Sequence, residues 1–215
     1  MNHLIAIDGP AASGKSTVAR ILASELGFVY VNTGAMYRAF AWAAIREGID
    51  CQSRTAIKTL TEKIRFEIIT DALETHLRLD GIDPTPHLRD KQVNDTVAVI
   101  SGIPELREFL VNRQRQLRLI ASLVMEGRDI GTVVASDTPY KFYLDAREDI
   151  RSARRQEQGE ADSLSRRDAQ DRQRTSSPMI RAADAEIVDS SGMTIEEVIE
   201  YLLSRLKAKG LNTQK

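Results

Sequence analysis

The chain of 215 residues has a single cysteine, Cys51. No disulfide can form within it, and this thiol usage predicts a reducing compartment. Its three histidines, His3, His76 and His87, are scattered. No Cys/His cluster with metal-ligand spacing exists, and a His-centred nucleophilic triad is not expected. No apolar stretch approaches the ~20 residues that cross a bilayer. The first apolar run starts at Leu4, which predicts no signal peptide. The formal net charge is −1, against a dedicated nucleic-acid surface. Internal repeats, low-complexity segments and an Asn-Lys-x-Asp guanine-specificity element are also missing. The expectation is a cytoplasmic globular protein that binds neither membrane nor nucleic acid. Nothing demands a dimer, so a monomer is expected.

What is present begins with Gly9-Pro10-Ala11-Ala12-Ser13-Gly14-Lys15-Ser16-Thr17, directly after the apolar run Leu4-Ile5-Ala6-Ile7. This is G-x-x-x-x-G-K-[ST] in the strand–loop–helix context the motif needs. Backbone N–H groups of such a loop wrap a polyphosphate, and the following helix points its positive end at it. Lys15 would reach the outer phosphates and the Ser16 hydroxyl would sit on Mg²⁺. The motif alone does not separate kinases from GTPases or motor ATPases.

Periodicity organises the rest. Lys15–Leu26 carries apolar residues at helical spacing and stops at Gly27, Phe28–Val31 is a short β-type run, and Met36–Glu47 is helical. Strand, helix, strand, helix predicts a parallel α/β sheet. Residues 64–68 and 76–80 alternate instead, so about 60–85 reads as a small antiparallel insert. Arg89–Ile100 and a segment opened by Pro104 read as helices. Leu123–Met125, Lys141–Leu144 and Ala185–Val188 read as strands. Asp145 with Glu148, and Thr194 with Glu197, resemble capping boxes of two later helices. The polar segment 157–166 reads as a mobile loop, followed by a charged helix to about Arg174. The chain after Lys209 reads as a disordered polar tail.

Three further constellations can carry chemistry. Asn32-Thr33-Gly34-Ala35-Met36-Tyr37-Arg38 follows the second strand, at the carboxyl edge where α/β proteins bind ligands. Arg38 either grips a phosphate there, with Tyr37 beside it and Thr33 capping the helix, or belongs to an ordinary amphipathic face. Glu126-Gly127-Arg128-Asp129 should reach the same edge, as an anion site or as a structural ion pair. The third is arginine-dense, from Arg147 through Arg151, Arg154, Arg155, Arg166, Arg167, Arg172 and Arg174 to Arg181, nearly balanced by acids. Most of these read as solvated helix faces, yet two helices joined by a polar loop also make a plausible hinged lid. Arginine outnumbers lysine 22 to 8, which suits phosphate handling and equally suits genomic composition bias.

Taken together, G-P-A-A-S-G-K-S-T, N-T-G-A-M-Y-R-A, G-R-D-I-G-T-V-V (127–134), R-R-D-x-x-D-R-x-R (166–174) and D-A-x-x-x-D (184–189) resemble the bacterial cytidylate kinase family from about residue 3 to 206. The resemblance implies an α/β fold in three parts. A P-loop parallel-sheet core spans 1–58, 102–150 and 178–208. A monophosphate-binding antiparallel insert spans about 59–101, and a helical lid about 151–177, before a tail at 209–215. The implied reaction converts ATP and CMP or dCMP to ADP and CDP or dCDP, with Mg²⁺. Carried onto this sequence, Gly9 to Thr17 bind the ATP phosphates, with Lys15 stabilising the transferred group. Arg38 and Arg128 hold the acceptor phosphate beside Thr33 and Tyr37. Arg107 and Asp129 read the cytosine edge, Asp accepting from the exocyclic amine. Asp171 and Arg174 hold sugar and phosphate, and Arg167 with Arg154 or Arg155 neutralises charge between the nucleotides. Two positions depart from the family pattern: Asn32 stands where Asp is usual, and Ala98 where a Ser helps read cytosine.

Overall fold

β1 (Leu4–Asp8) is buried along its whole length. Leu4 and Ala6 face one apolar cluster, and Ile5 and Ile7 the other. A strand covered on both faces reads as a continuous apolar run, which is why the sequence shows no alternation here. The computed structural model describes residues 2–157, 164–174 and 176–211, without the side chains of 164–167.

The described elements continue with α1 (Lys15–Leu26), β2 (Val29–Asn32), α2 (Thr33–Arg46), α3 (Arg54–Lys63), β3 (Phe66–Asp71), β4 (Glu74–Leu79), α4 (Lys91–Ile100) and α5 (Pro104–Leu117). Then follow β5 (Leu123–Gly127), β6 (Lys141–Asp145), α6 (Glu148–Glu157), α7 (Leu164–Gln173), β7 (Glu186–Asp189) and α8 (Ile195–Ala208). The strands form one seven-stranded sheet in the order β3-β4-β2-β5-β1-β6-β7. All neighbours are parallel except β3 and β4, which pair antiparallel from Phe66↔Leu79 to Asp71↔Glu74. The alternating segment is thus an antiparallel hairpin, as its period indicates. It is fastened to the sheet edge by one residue pair, Tyr30↔Glu74.

One apolar layer, with Phe40, Ile100, Leu106 and Leu110, fills the space under α2, α4 and α5. The other, with Leu22, Phe142, Val198 and Leu202, lies under α1 and α8. The parallel arrangement brings the ends of β1, β2 and β5 to one edge of the sheet, and the loops that leave them line one cavity there.

Several boundaries differ from the sequence reading. α2 begins at Thr33, and Asn32 is its cap, accepting from the Ala35 N–H at 2.9 Å. α3 is not anticipated, because Ile57 and Leu60 alone mark its buried apolar face. No capping box forms at Asp145, whose carboxylate instead accepts from the Ala146 N–H at 2.8 Å. The box at Thr194 and Glu197 does form. Leu211 is buried against the α8 layer, so the packed chain runs past Lys209. Of the segment read as a mobile loop, residues 158–163 lie outside the described residues, as do 212–215.

Candidate active site

Gly9 opens the phosphate loop because only glycine fits there. Its φ is 150°, and a Cβ would stand 2.0 Å from the Leu144 carbonyl oxygen of β6. The loop closes on its own lysine: Lys15 Nζ donates to the Pro10 carbonyl at 2.5 Å and to Ser13 Oγ at 3.3 Å. Burial, reinforced by the Arg128 charge, lowers the Lys15 pKa to about 7. One residue on, the Ser16 hydroxyl donates to Glu126 Oε1 at 2.6 Å. Glu126 also accepts from the Tyr30 hydroxyl at 3.1 Å, and Asn32 Nδ2 donates to that hydroxyl at 3.2 Å. Asn32 therefore ends a chain of polar contacts that leads back to the loop.

The β5 loop lies against β1. Asp8 accepts from the N–H groups of Ile130 (2.8 Å) and Gly131 (2.7 Å), and burial pushes its pKa up to about 6. Gly127 admits Thr33, whose hydroxyl would stand 2.6 Å from a Cβ there. Thr33 Oγ1 donates to the Glu126 carbonyl at 2.8 Å, so it ties two loops together instead of capping α2.

Beyond this edge the arginines form two linked groups. Arg128 Nε donates to Asp171 Oδ2 at 2.9 Å, and Asp171 also pairs with Arg174. Arg174 Nη2 donates to Ser101 Oγ at 2.8 Å, while burial holds its guanidinium pKa below the usual range. Arg107 Nη1 donates to the Ser101 carbonyl at 2.9 Å and its Nη2 pairs with Asp129, both side chains buried. The Arg107 guanidinium lies 5.3 Å from the centre of the Tyr37 ring, whose hydroxyl is buried without a hydrogen-bond partner among the described residues. Such a phenol is a donor waiting for an acceptor.

These groups face a cavity of about 530 Å³. Its wall includes Ala11 to Thr17, Thr33, Tyr37, Arg38, Arg107, Arg128, Asp129, Arg154, Arg155, Asp171 and Arg174. Arg38 Nε reaches Asn94 Oδ1 at 3.4 Å, and Arg154 Nη1 donates to the Ser13 carbonyl at 3.3 Å. Gly9 and Pro10 shape the loop from behind and do not line the cavity. The Arg167 side chain lies outside the described residues. Arg151 and Arg155 are buried, contrary to the solvated faces that balanced charge suggests.

Asp8, Ser101 and the wall formed by Ser190, Met193, Thr194, Ile195 and Val198 were not expected at the site, and Glu126 stood in an expected loop without a role of its own. Glu126 carried a usable signal, an acid ending a buried strand beside the phosphate-loop strand. The wall residues carried none, because only the packing of β7 and α8 brings them to the loop.

A parallel sheet, a lysine-bearing phosphate loop and convergent arginines on one cavity define a P-loop nucleotide-binding kinase fold. A solved structure of an uncharacterized protein from Eubacterium ventriosum has a similar fold, with a TM-score of 0.51 at 13% identity, covering 97% of this chain and 99% of that one. The family model for cytidylate kinase matches residues 5–208. A cytidylate kinase from Pelotomaculum thermopropionicum is 43% identical over 95% of this chain and 96% of its own length. One from Desulfitobacterium hafniense is 41% identical over 97% and 94%. The chain belongs to the cytidylate kinase family, and is a phosphotransferase whose acceptor is a phosphate group.

Proposed function

We propose that this chain transfers the γ-phosphoryl group of ATP to CMP and dCMP, directly and in line, with Mg²⁺. The observation that carries the reading is that phosphate loop, phosphate-gripping arginines and a buried Arg–Asp pair open onto one cavity. Phosphoryl transfer needs positioning and cations over the developing charge more than covalent chemistry. Ala11 to Thr17 hold the ATP phosphates, and Lys15, charged once it meets them, stabilises the transferred group. Arg38, Arg128 and Arg174 hold the acceptor phosphate and sugar with Asp171, and the Tyr37 hydroxyl donates into the same site. At the far end Asp129 accepts from the cytosine amine and Arg107 donates to the ring. The wall from Ser190 to Val198 takes the donor base.

Ser16 Oγ and Glu126 Oε1, 2.6 Å apart beside the loop, are the hard oxygen donors Mg²⁺ prefers. These two residues would hold it with the ATP phosphates, where it neutralises phosphate charge. Among the described residues no cluster of three or more His, Cys, Asp or Glu forms a metal site without a nucleotide. The segment 59–101 serves as the monophosphate-binding insert, and about 151–177, including Arg154, Arg155 and Arg167, as the lid. No described helix is long and apolar enough to cross a membrane. The protein works as a cytoplasmic monomer on small-molecule substrates, without nucleic acid.

A coupled assay with ATP, Mg²⁺ and each nucleoside monophosphate tests the reading. Turnover of CMP and dCMP is expected, and turnover of AMP or GMP without CMP would sink it.

A further inference from the structure

The backbone of Ala11, inside the phosphate loop, is held at both its N–H and its carbonyl by one buried ion pair. Its N–H donates to Asp168 Oδ1 at 3.0 Å, and its carbonyl accepts from Arg151 Nη1 at 3.0 Å. The same Nη1 donates to Asp168 Oδ2 at 2.5 Å, while Arg151 Nε is fixed on the Ala146 carbonyl at 3.1 Å. Asp168 is 2% exposed and Arg151 7%. The next residue, Ala12, has a φ of 59°, a left-handed conformation that a residue with a Cβ does not favour. The loop therefore takes a shape its own sequence does not prefer, and the support comes from α6 and α7.

The same two helices reach the rest of the site. Asp168 lies one helical turn before Asp171, so both project from one face of α7. Asp171 joins Arg128 to Arg174. One turn of α7 thus touches the phosphate loop at one end and the acceptor-side arginines at the other. On α6, Arg151 and Arg154 are likewise one turn apart, and Arg154 reaches the Ser13 carbonyl. The Asp168 charge also acts on both Lys15 and Arg128. For stability alone the arrangement is poor value, since burying two charges costs much of what their attraction returns.

We propose that Asp168, with Arg151 as its counter-ion, is a positioning residue for phosphoryl transfer. By fixing the Ala11 backbone it sets the phosphate loop at its working distance from the Arg128–Asp171–Arg174 network. The inference rests on the proposed transfer to a monophosphate, though not on which monophosphate accepts.

The test compares Asp168→Ala, Asp168→Asn and the wild type in steady-state kinetics, using the monophosphate that the wild type turns over fastest. A wild type that prefers an acceptor other than CMP overturns the acceptor assignment and leaves this comparison intact. In Asp168→Ala, kcat at saturation is expected to fall about tenfold to a hundredfold, the scale of a misplacement near 1 Å. The KM for the monophosphate should stay within about twofold, because its own contacts remain. Asp168→Asn keeps an acceptor for the Ala11 N–H and should recover part of kcat. Circular dichroism melts give the folded fraction of each variant, and if Asp168→Ala does not fold, Asp168→Asn decides. A folded Asp168→Ala with wild-type kcat, or one whose monophosphate KM rises in step with the loss of kcat, would overturn the proposal; where only Asp168→Asn folds, wild-type kcat in that variant overturns it.

Discussion

Lys15, which the proposed function sets against the ATP phosphates, starts from an unusual state, because burial and Arg128 bring its pKa down to about 7 from 10.5. A triphosphate favours the ammonium form, so binding should raise that pKa again. The sign follows directly: at pH 8 the free lysine is largely neutral and ATP binding takes up a proton, whereas near pH 6 it is already charged and uptake vanishes. Calorimetric titration of ATP in buffers of different ionisation enthalpy measures this, and equal uptake at both pH values would contradict it. In the nucleotide-free chain the lowered pKa makes the unfolded state the better proton binder between about pH 7 and 10.5. Lys15 thus contributes stability that rises with pH across that window. Asp129 offers a second test at this scale. Asp129→Ala leaves the buried Arg107 without its partner, a change that typically costs about 3–5 kcal/mol, readable by urea denaturation. In calorimetry CMP binding should weaken more than ATP binding. Equal losses for both nucleotides would make the pair purely structural.

Among the elements, β1 and its loop show how sequence becomes geometry. Gly9→Ala would drive a Cβ into the Leu144 carbonyl and impose a φ that L-residues avoid. Backbone strain alone is worth about 1–3 kcal/mol. Denaturant midpoint and ATP affinity are both expected to fall, and a variant with wild-type values for both would refute the constraint. The loop was legible because its chemistry is local: glycines, lysine and hydroxyl at fixed spacing after an apolar run. The Thr194–Glu197 box was legible for the same reason. Asp168 and Arg151 were not, since a charged residue in a balanced run gives no sign of being buried. Each is held by a partner more than a hundred residues away in sequence, the Ala11 backbone. Thr33 misled for a related reason: either Asn32 or Thr33 is an acceptable cap, and the carbonyl of Glu126 decided between them.

The molecule as a whole is a strongly joined parallel sheet with a hairpin packed into the core at its base, through Phe66, Leu77 and Leu79, and lightly attached at its tip. β1 and β5 share five paired positions, whereas β2 and β4 share one. The hairpin adds Arg20–Glu74, a largely exposed ion pair, and Thr75 Oγ1 donating to the Tyr30 carbonyl at 3.2 Å. Exposed pairs of this kind contribute about 0–1 kcal/mol. Amides near the hairpin tip, at residues 70–75, should therefore exchange with deuterium well before those of β1 and β5. Equal protection in both places would show that attachment does not limit opening. The antiparallel segment itself was visible as a change of period, but its single-pair join to β2 is a tertiary fact with no sequence signature.

Ser16 and Glu126 already satisfy each other, and among the described residues no group of three or more His, Cys, Asp or Glu could hold a metal ion. Mg²⁺ surrenders its waters reluctantly and takes much of its shell from substrate phosphates. Under the proposed reaction the cation therefore arrives as cargo on the nucleotide. On that proposal the donor is the MgATP complex, and the metal and the triphosphate enter the site together.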